Sequence, residues 1–235
     1  MSRKLLKLSN ETFDFFTVFD ILKSMSKPTV ILLVIVVVAI FALAGYYFGY
    51  DVGFEKSAQI SENEETMPAN TLITLHTNKG DIGIELFTDK MPITAGNFLK
   101  LAQESFYDGT KFHRVISGFM IQGGDPNSKG DDLSLYGRGG PGFAIKDEFV
   151  AGFSNVRGTI SMANSGPGTG GSQFFINVAD NIGLDYDKEP LASKHPVFGK
   201  VISGMDVVDA IAKTPTGVGD VPLEPVVINS VSVSK

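Results

Sequence analysis

The feature that most constrains this chain is a run of 23 residues without a charged side chain, at positions 28–50. A helix rises about 1.5 Å per residue, so a run of this length can cross a hydrocarbon core of about 30 Å. The sequence therefore predicts a single transmembrane signal-anchor helix at residues 29–50. A cleaved signal peptide is the alternative, because Ala42-Leu43-Ala44 has the small-residue pattern of a cleavage site. Leaders, however, usually contain only ~7 to 15 apolar residues.

The charges on either side of this run predict its orientation. Lys23 and Lys27 precede it, whereas Asp51 and Glu55 follow it. Basic residues are retained on the cytoplasmic side of membranes, so residues 1–28 are predicted to form a cytoplasmic tail. The chain is then a single-pass protein of the cytoplasmic membrane, with its C-terminal domain facing the periplasm or the cell exterior.

Two segments flank the predicted span. Residues 51–70 contain five acidic residues and one basic residue and have few side chains suited to a core, which is typical of an acidic flexible linker. In the tail, residues 12–22 place Asp14, Thr17 and Asp20 at three-residue spacing among apolar side chains. That spacing suits an amphipathic helix along the inner leaflet, and an ordinary cytosolic tail fits equally well.

The C-terminal 165 residues, 71–235, are long enough for one domain with a sizeable core. Alternating apolar and polar residues at 72–77 and 81–87 predict a β-hairpin. Apolar residues at helical spacing predict two helices, one opening at Pro92 and one at residues 205–212. Twenty-six glycines and the alternating C-terminus favour a closed antiparallel sheet over βαβ units, so the domain is predicted to be mainly β.

Composition argues against several classes of function. The absence of cysteine rules out thiolate catalysis and zinc sites built on cysteine, and the scattered His76, His113 and His195 do not predict a metal site. The net charge is −6 and no basic patch suggests nucleic-acid binding. The G-x-G-x-x-G spacings at 137–142 and 166–171 lack the preceding strand and following helix that a dinucleotide site requires.

Residues 105–126, SFYDGTKFHRVISGFMIQGGDP, place one arginine, Arg114, among mostly apolar and small residues. Taken alone, such an arginine is more often a structural ion-pair partner. A bend at the Ser-Gly step would let Phe119, Met120 and Gln122 reach the same pocket as Arg114. The segment therefore indicates an apolar pocket with a guanidinium in its wall.

A second informative segment, residues 158–178, reads GTISMANSGPGTGGSQFFINV. Gln173 in this segment and Gln122 in the first are amides within apolar strands, and buried amides require a partner or a ligand. Asn164, taken alone, is a turn residue.

These two segments, together with ELFTDKMPITAGNFLKL at 85–101 and HPVFGKVISGMDVVDAI at 195–211, closely resemble the cyclophilin family of peptidyl-prolyl isomerases. The resemblance implies a closed eight-stranded antiparallel barrel capped by two α-helices over residues 71–235. It also implies cis-trans isomerisation of X-Pro bonds in proline-containing polypeptides, with no cofactor and no metal. A non-catalytic module that binds Pro-containing segments of a partner is the alternative function.

The resemblance also assigns site residues. Arg114 would donate hydrogen bonds toward the prolyl nitrogen and the carbonyl of the reacting bond, Gln122 would orient Arg114 or the substrate, and Phe119 would complete the catalytic set. The residues implied to bind substrate are Met120, Gly137, Ala163, Asn164, Gln173, Phe175, Leu184 and His195.

The clearest departure from the family pattern is the absence of tryptophan. Many cyclophilins have a tryptophan where this chain has Gly183, and in the family that indole supports binding of the cyclic peptide cyclosporin. Glycine supplies neither the apolar face nor the N–H donor of an indole. Cyclosporin binding is therefore predicted to be weak.

Overall fold

The structure, a computed structural model, describes residues 70–189 and 194–234. The predicted cytoplasmic tail, the predicted span at 29–50 and all but the last residue of the predicted linker lie outside the described residues. No helix among the described residues is long and apolar enough to cross a membrane.

Eight strands form one sheet with the order β3-β4-β6-β5-β7-β2-β1-β8. Each strand is antiparallel to its neighbours. The strands are β1 Thr71–Thr77, β2 Gly80–Leu86, β3 Arg114–Ile116, β4 Met120–Gly123, β5 Thr159–Met162, β6 Phe174–Asn177, β7 Val197–Ser203 and β8 Ile228–Ser234. The prediction of a mainly β domain with eight antiparallel strands is confirmed.

The sheet curls into a partial barrel whose ladder ends at β3 and β8. In the described part of the chain, no ladder joins these two strands. The segment before β3 instead meets the start of β8 and the residues before it: the Gly109 and Phe112 N–H groups donate to the Ile228 and Val226 carbonyls, and the Ile228 N–H donates to the Thr110 carbonyl, each at 2.8 Å. The predicted closed barrel is therefore an open, curled ladder whose gap is bridged by backbone hydrogen bonds.

Two helices accompany the sheet, as predicted: α1 Thr94–Gln103 and α2 Met205–Ala212. Helix α1 packs against β7 and β8, and α2 packs against β2, β3 and β4. The first turn of α1 is capped from a distant loop, because a Glu148 carboxylate oxygen accepts from the Thr94 N–H at 2.9 Å and from the Ile93 N–H at 3.1 Å. This contact satisfies N–H groups that have no partner within the helix.

Aromatic rings fill the space between α1 and the inner face of the sheet. The Phe98 ring lies 4.6 Å from that of Tyr107, 5.2 Å from that of Phe174 and 5.3 Å from that of Phe198, measured between centroids. All four side chains are completely buried. Among the described residues the inner face of the sheet is therefore filled by side chains, which leaves no room for a ligand there.

Candidate active site

Alternation along β4 and β6 sends side chains to both faces of the sheet. Ile121 and Phe174 belong to the inner core, whereas Gln122 and Phe175, the next residue on each strand, do not. Strand register aligns Arg114 with Gln122 and Gln122 with Phe175. A guanidinium, an amide and an aromatic ring therefore lie in a row across β3, β4 and β6 on the outer face.

A three-residue turn joins β3 to β4 and carries Phe119. Gly118 at its centre has a φ of 72°, a conformation that favours glycine. The Phe119 carbonyl accepts hydrogen bonds from the Asn181 side chain at 2.8 Å and from the Val178 N–H at 3.0 Å. These contacts fix Phe119 at the rim of the outer face, so the predicted bend at the Ser-Gly step is present.

Nine of the eleven predicted site residues line one cavity of about 270 Å³. Met120 and Phe175 are almost completely buried in its wall although neither belongs to the inner core. The volume lies below the ~300 to 1,000 Å³ of drug-sized ligand pockets and suits a small ring. The lining residues are Arg114, Phe119, Met120, Gln122, Ala163, Asn164, Phe175, Leu184 and His195.

The two remaining predicted residues, Gly137 and Gln173, line an adjacent cavity of about 370 Å³. Gln122, Ala163 and Asn164 line both cavities. The Gln122 Nε2 donates to Gln173 Oε1 at 2.9 Å, and the Gln173 Nε2 donates to the Gly139 carbonyl at 2.8 Å. The two glutamines, which the sequence identified as buried amides in need of partners, thus contact each other between the cavities.

Asn164 presents its backbone rather than its side chain. Its Nδ2 donates to the Lys194 carbonyl at 2.8 Å, and its Oδ1 accepts from the Gly166 N–H at 3.4 Å. Within residues 70–189 and 194–234, the backbone N–H and C=O of Asn164 have no hydrogen-bond partner. An extended peptide lying across the two cavities can pair with these groups.

Arg114 is both an ion-pair partner and part of the cavity wall. Its Nε donates to Asp220 Oδ2 at 3.3 Å. Among the described residues, its two terminal nitrogens have no hydrogen-bond partner, and no hydrogen bond joins Arg114 to Gln122. Sequence reasoning missed Asp220, since no sequence pattern connects two residues 106 positions apart.

His195 forms one wall of the smaller cavity. Its ring lies 5.3 Å from that of Phe175, nearly perpendicular to it. Its Nδ1 lies 3.1 Å from the Met162 carbonyl, which can only accept, so Nδ1 carries the proton in the neutral tautomer. Burial lowers the pKa of His195, an effect that the Met162 hydrogen bond and the Asp147 charge partly oppose.

Behind Arg114 lies His113, a buried histidine that sequence reasoning left without a role. Neither of its ring nitrogens makes a well-formed hydrogen bond to the described residues, although the Lys111 backbone and the Gln173 side chain lie close enough to raise its pKa. Burial lowers the pKa of His113, and the nearby Asp125 carboxylate partly opposes this shift. Arg114 and His113 both line a third cavity, of about 590 Å³, on the side of Arg114 where the Val218–Val221 loop lies.

The described residues show no cluster of three or more histidine, aspartate or glutamate side chains that could hold a metal ion.

Comparison with known proteins agrees with this geometry. The family model described as "Cyclophilin type peptidyl-prolyl cis-trans isomerase/CLD" matches residues 72–233. The peptidyl-prolyl cis-trans isomerase CYP18-1 of Arabidopsis thaliana is 48% identical over 164 residues, which cover 68% of this chain and 94% of the relative. The peptidyl-prolyl cis-trans isomerase A of Mycobacterium tuberculosis is 45% identical over 185 residues, covering 71% and 93%.

Solved structures are similar as well. A crystal structure of a cyclophilin-type isomerase of Cryptosporidium parvum superposes with a TM-score of 0.62 at 31% identity, covering 71% of this chain and 98% of that one. A structure of the same protein in the presence of the dipeptide Ala-Pro gives a TM-score of 0.61 at 31% identity, covering 70% and 99%.

Proposed function

Since the chain belongs to the family of cyclophilin-type peptidyl-prolyl cis-trans isomerases, and is therefore an enzyme, we propose that it binds proline rings in the cavity of about 270 Å³ and isomerises the bond beside Arg114. One observation carries this proposal: the terminal nitrogens of Arg114 are free of protein partners in the described structure, at the edge of a small cavity walled by Met120 and Phe175.

The chemistry requires no bond to break. The X-Pro amide rotates over a barrier of ~18 to 20 kcal/mol because its C–N bond has partial double-bond character. In the twisted transition state conjugation is lost, and the prolyl nitrogen regains a lone pair that can accept a hydrogen bond. A guanidinium donates to that nitrogen and stays charged at all working pH values. Donors that are already oriented toward developing charge are the largest catalytic term in many enzymes.

The neighbouring residues hold the substrate chain. The backbone of Asn164 pairs with the extended segment before the proline, and the adjacent cavity lined by Gly137 and Gln173 receives a preceding side chain. His195, whose pKa is lowered by burial, supplies one wall of the proline cavity. Proline-containing polypeptides are the substrate class, and the C. parvum isomerase structure obtained in the presence of Ala-Pro supports this.

The test is exchange NMR on an Ala-Pro peptide, with the full chain purified in detergent. We expect cis-trans exchange to accelerate in the presence of the protein, since uncatalysed isomerisation takes ~10 to 100 s. A protein that broadens the peptide signals without accelerating exchange would instead be a binding module.

We further propose that residues 29–50 anchor the enzyme in the cytoplasmic membrane, with the isomerase domain outside. The length of the uncharged run and the basic residues before it support this proposal. Protease added to spheroplasts or protoplasts, in which the cytoplasmic membrane is intact and directly accessible, should then digest the domain while a cytoplasmic marker survives. Protection until the cytoplasmic membrane is broken would contradict the orientation, and a free domain that begins near Gly45 would show that the segment is a cleaved leader.

A further inference from the structure

We propose that Asp220 is a positioning residue: its carboxylate holds Arg114 by Nε so that both terminal nitrogens of the guanidinium face the reacting bond. This inference rests on the proposed function of Arg114 as the catalytic donor. It assigns a role to the loop that follows α2. Neither the sequence patterns nor the proposed function had given this loop a role.

The contact uses only Nε of Arg114, so neither terminal nitrogen of the guanidinium has a partner among the described residues. Arg114 lines both the proline cavity and the cavity of about 590 Å³. Val218, Gly219 and Val221, which flank Asp220, line the larger cavity and do not line the proline cavity. Asp220 therefore belongs to the loop that borders the larger cavity, and this loop does not line the proline cavity. A flexible arginine side chain loses rotamer freedom when one edge of its guanidinium is held. Less side-chain conformational entropy then remains to be lost in the transition state.

The loop holds Asp220 in place without help from Arg114. The Gly217 N–H donates to the Val221 carbonyl at 2.8 Å, and the Leu223 N–H donates to the Pro215 carbonyl at 2.9 Å. A further antiparallel bridge pairs Thr216 with Pro222. These contacts form a small hairpin, and Asp220 lies in its tip.

Backbone conformation at the tip is unusual. Gly219 and Asp220 have φ values of 75° and 60°, so two consecutive residues occupy the left-handed region. Aspartate tolerates this region better than most residues, but it still costs free energy relative to glycine. Strain of this kind is typical of positions where a side chain is placed for function.

A purely stabilising ion pair is the competing explanation, and the magnitudes argue against it. The Arg114 and Asp220 side chains are 42% and 47% exposed, and exposed pairs contribute little to stability. The chain offers a matched pair away from the site: Arg157 and Asp209 are 2.8 Å apart with side chains 44% and 36% exposed. Loss of either pair should change stability little, but only loss of the Asp220 contact should change catalysis.

The test compares three variants of the full chain in detergent: Asp220→Gly, Asp220→Asn and Asp209→Asn. Glycine accepts the left-handed conformation and removes the carboxylate, whereas asparagine accepts the conformation and keeps one acceptor oxygen. We expect Asp220→Gly to lower kcat about two- to fivefold with KM unchanged, since the proline cavity is intact. Asp220→Asn should recover part of this loss, and Asp209→Asn should match wild type.

An NMR measurement distinguishes a change in the position of the Arg114 side chain from a general loosening of the loop. The Nε–H resonance of Arg114, assigned by its disappearance in Arg114→Lys, should shift in Asp220→Gly and stay in place in Asp209→Asn. The inference is overturned if Asp220→Gly keeps the wild-type kcat, or if it loses kcat while the Arg114 resonance is unmoved. If the wild-type chain itself does not accelerate exchange, the proposed function has failed, a result distinct from either of these.

Discussion

Phe174 and Phe175 are consecutive residues of one strand, and both are buried, yet they serve opposite faces of the sheet. The Phe174 ring packs edge-on against those of Phe98 and Tyr107, in a core without room for a ligand. The Phe175 ring packs against that of His195 and borders a cavity. Burial alone therefore does not distinguish the two residues, but the surroundings of each ring do: the inner face stabilises the fold, and the outer face is available to a substrate.

The largest expected effect comes from the inner face. Phe174→Ala should lower the free energy of unfolding by about 3 to 5 kcal/mol, because it removes a ring that contacts several others. Phe175→Ala should cost less stability, since part of its surroundings is already open, and should instead raise KM for Ala-Pro peptides. Urea unfolding followed by circular dichroism, together with exchange NMR, measures both quantities. Equal losses of stability with unchanged KM would remove the distinction between the faces.

The next largest effect is expected from a substitution confined to the outer face. Arg114→Ala should lower the isomerisation rate by ~10²-fold or more, as removal of a donor that acts in the transition state does elsewhere. Its half-exposed side chain contributes little to the core, so the unfolding curve should stay close to that of wild type. Arg114→Lys should also be poor, because an ammonium lacks the planar fork of the guanidinium. A folded Arg114→Ala protein with wild-type exchange rates would contradict the mechanism.

The two faces also differ in how far the sequence predicts them. Periodicity identified the hairpin and both helices, because alternation and helical spacing report directly which side chains are buried. It could not assign Met120 or Phe175 to a cavity, since a buried apolar residue gives the same signal on either face. Only the resemblance to the cyclophilin family placed them there.

Contacts between distant segments were not predictable at all. Glu148 caps α1 from 54 residues away, and Asp220 reaches Arg114 across 106 residues. Each is an acidic residue in a loop, and its sequence neighbours give no indication of its partner. Such contacts depend on how the curled sheet brings loops together, which local spacing does not record.

A smaller effect is expected when a side chain is added to the outer face. Gly183 is exposed in the short helical turn Ile182–Leu184, beside the cavity residue Leu184. A Cβ added there would meet no described atom within 4 Å, so the backbone at this position has space for the first atom of a side chain. We expect this substitution to strengthen cyclosporin binding by some thirtyfold, the effect of about 2 kcal/mol from an aromatic anchor. Turnover of short peptides should be unchanged.

The control for this prediction is Ile182→Trp, one residue earlier in the same exposed turn. A gain specific to position 183 supports a missing contact at that place, whereas equal gains would reflect nonspecific adhesion to an added indole. Nanomolar binding of cyclosporin to the unmodified chain, measured by calorimetry, would mean that other residues already supply the contact.

The smallest effect concerns the two histidines around Arg114. Burial lowers the pKa of both His113 and His195 in the folded chain, so the unfolded chain takes up protons first as the pH falls through about 6.5. The free energy of unfolding should therefore be nearly constant above about pH 6.5 and should be lower at pH 5.5 than at pH 7.5. Most carboxylates stay ionised in this range. His113→Phe removes one of the two groups and should therefore lose part of this pH dependence. Urea unfolding at the two pH values measures it. Equal stability of the wild-type chain at both would show that the interior behind Arg114 accepts a charged imidazole as readily as water does, and that the outer face is less dry than its burial indicates.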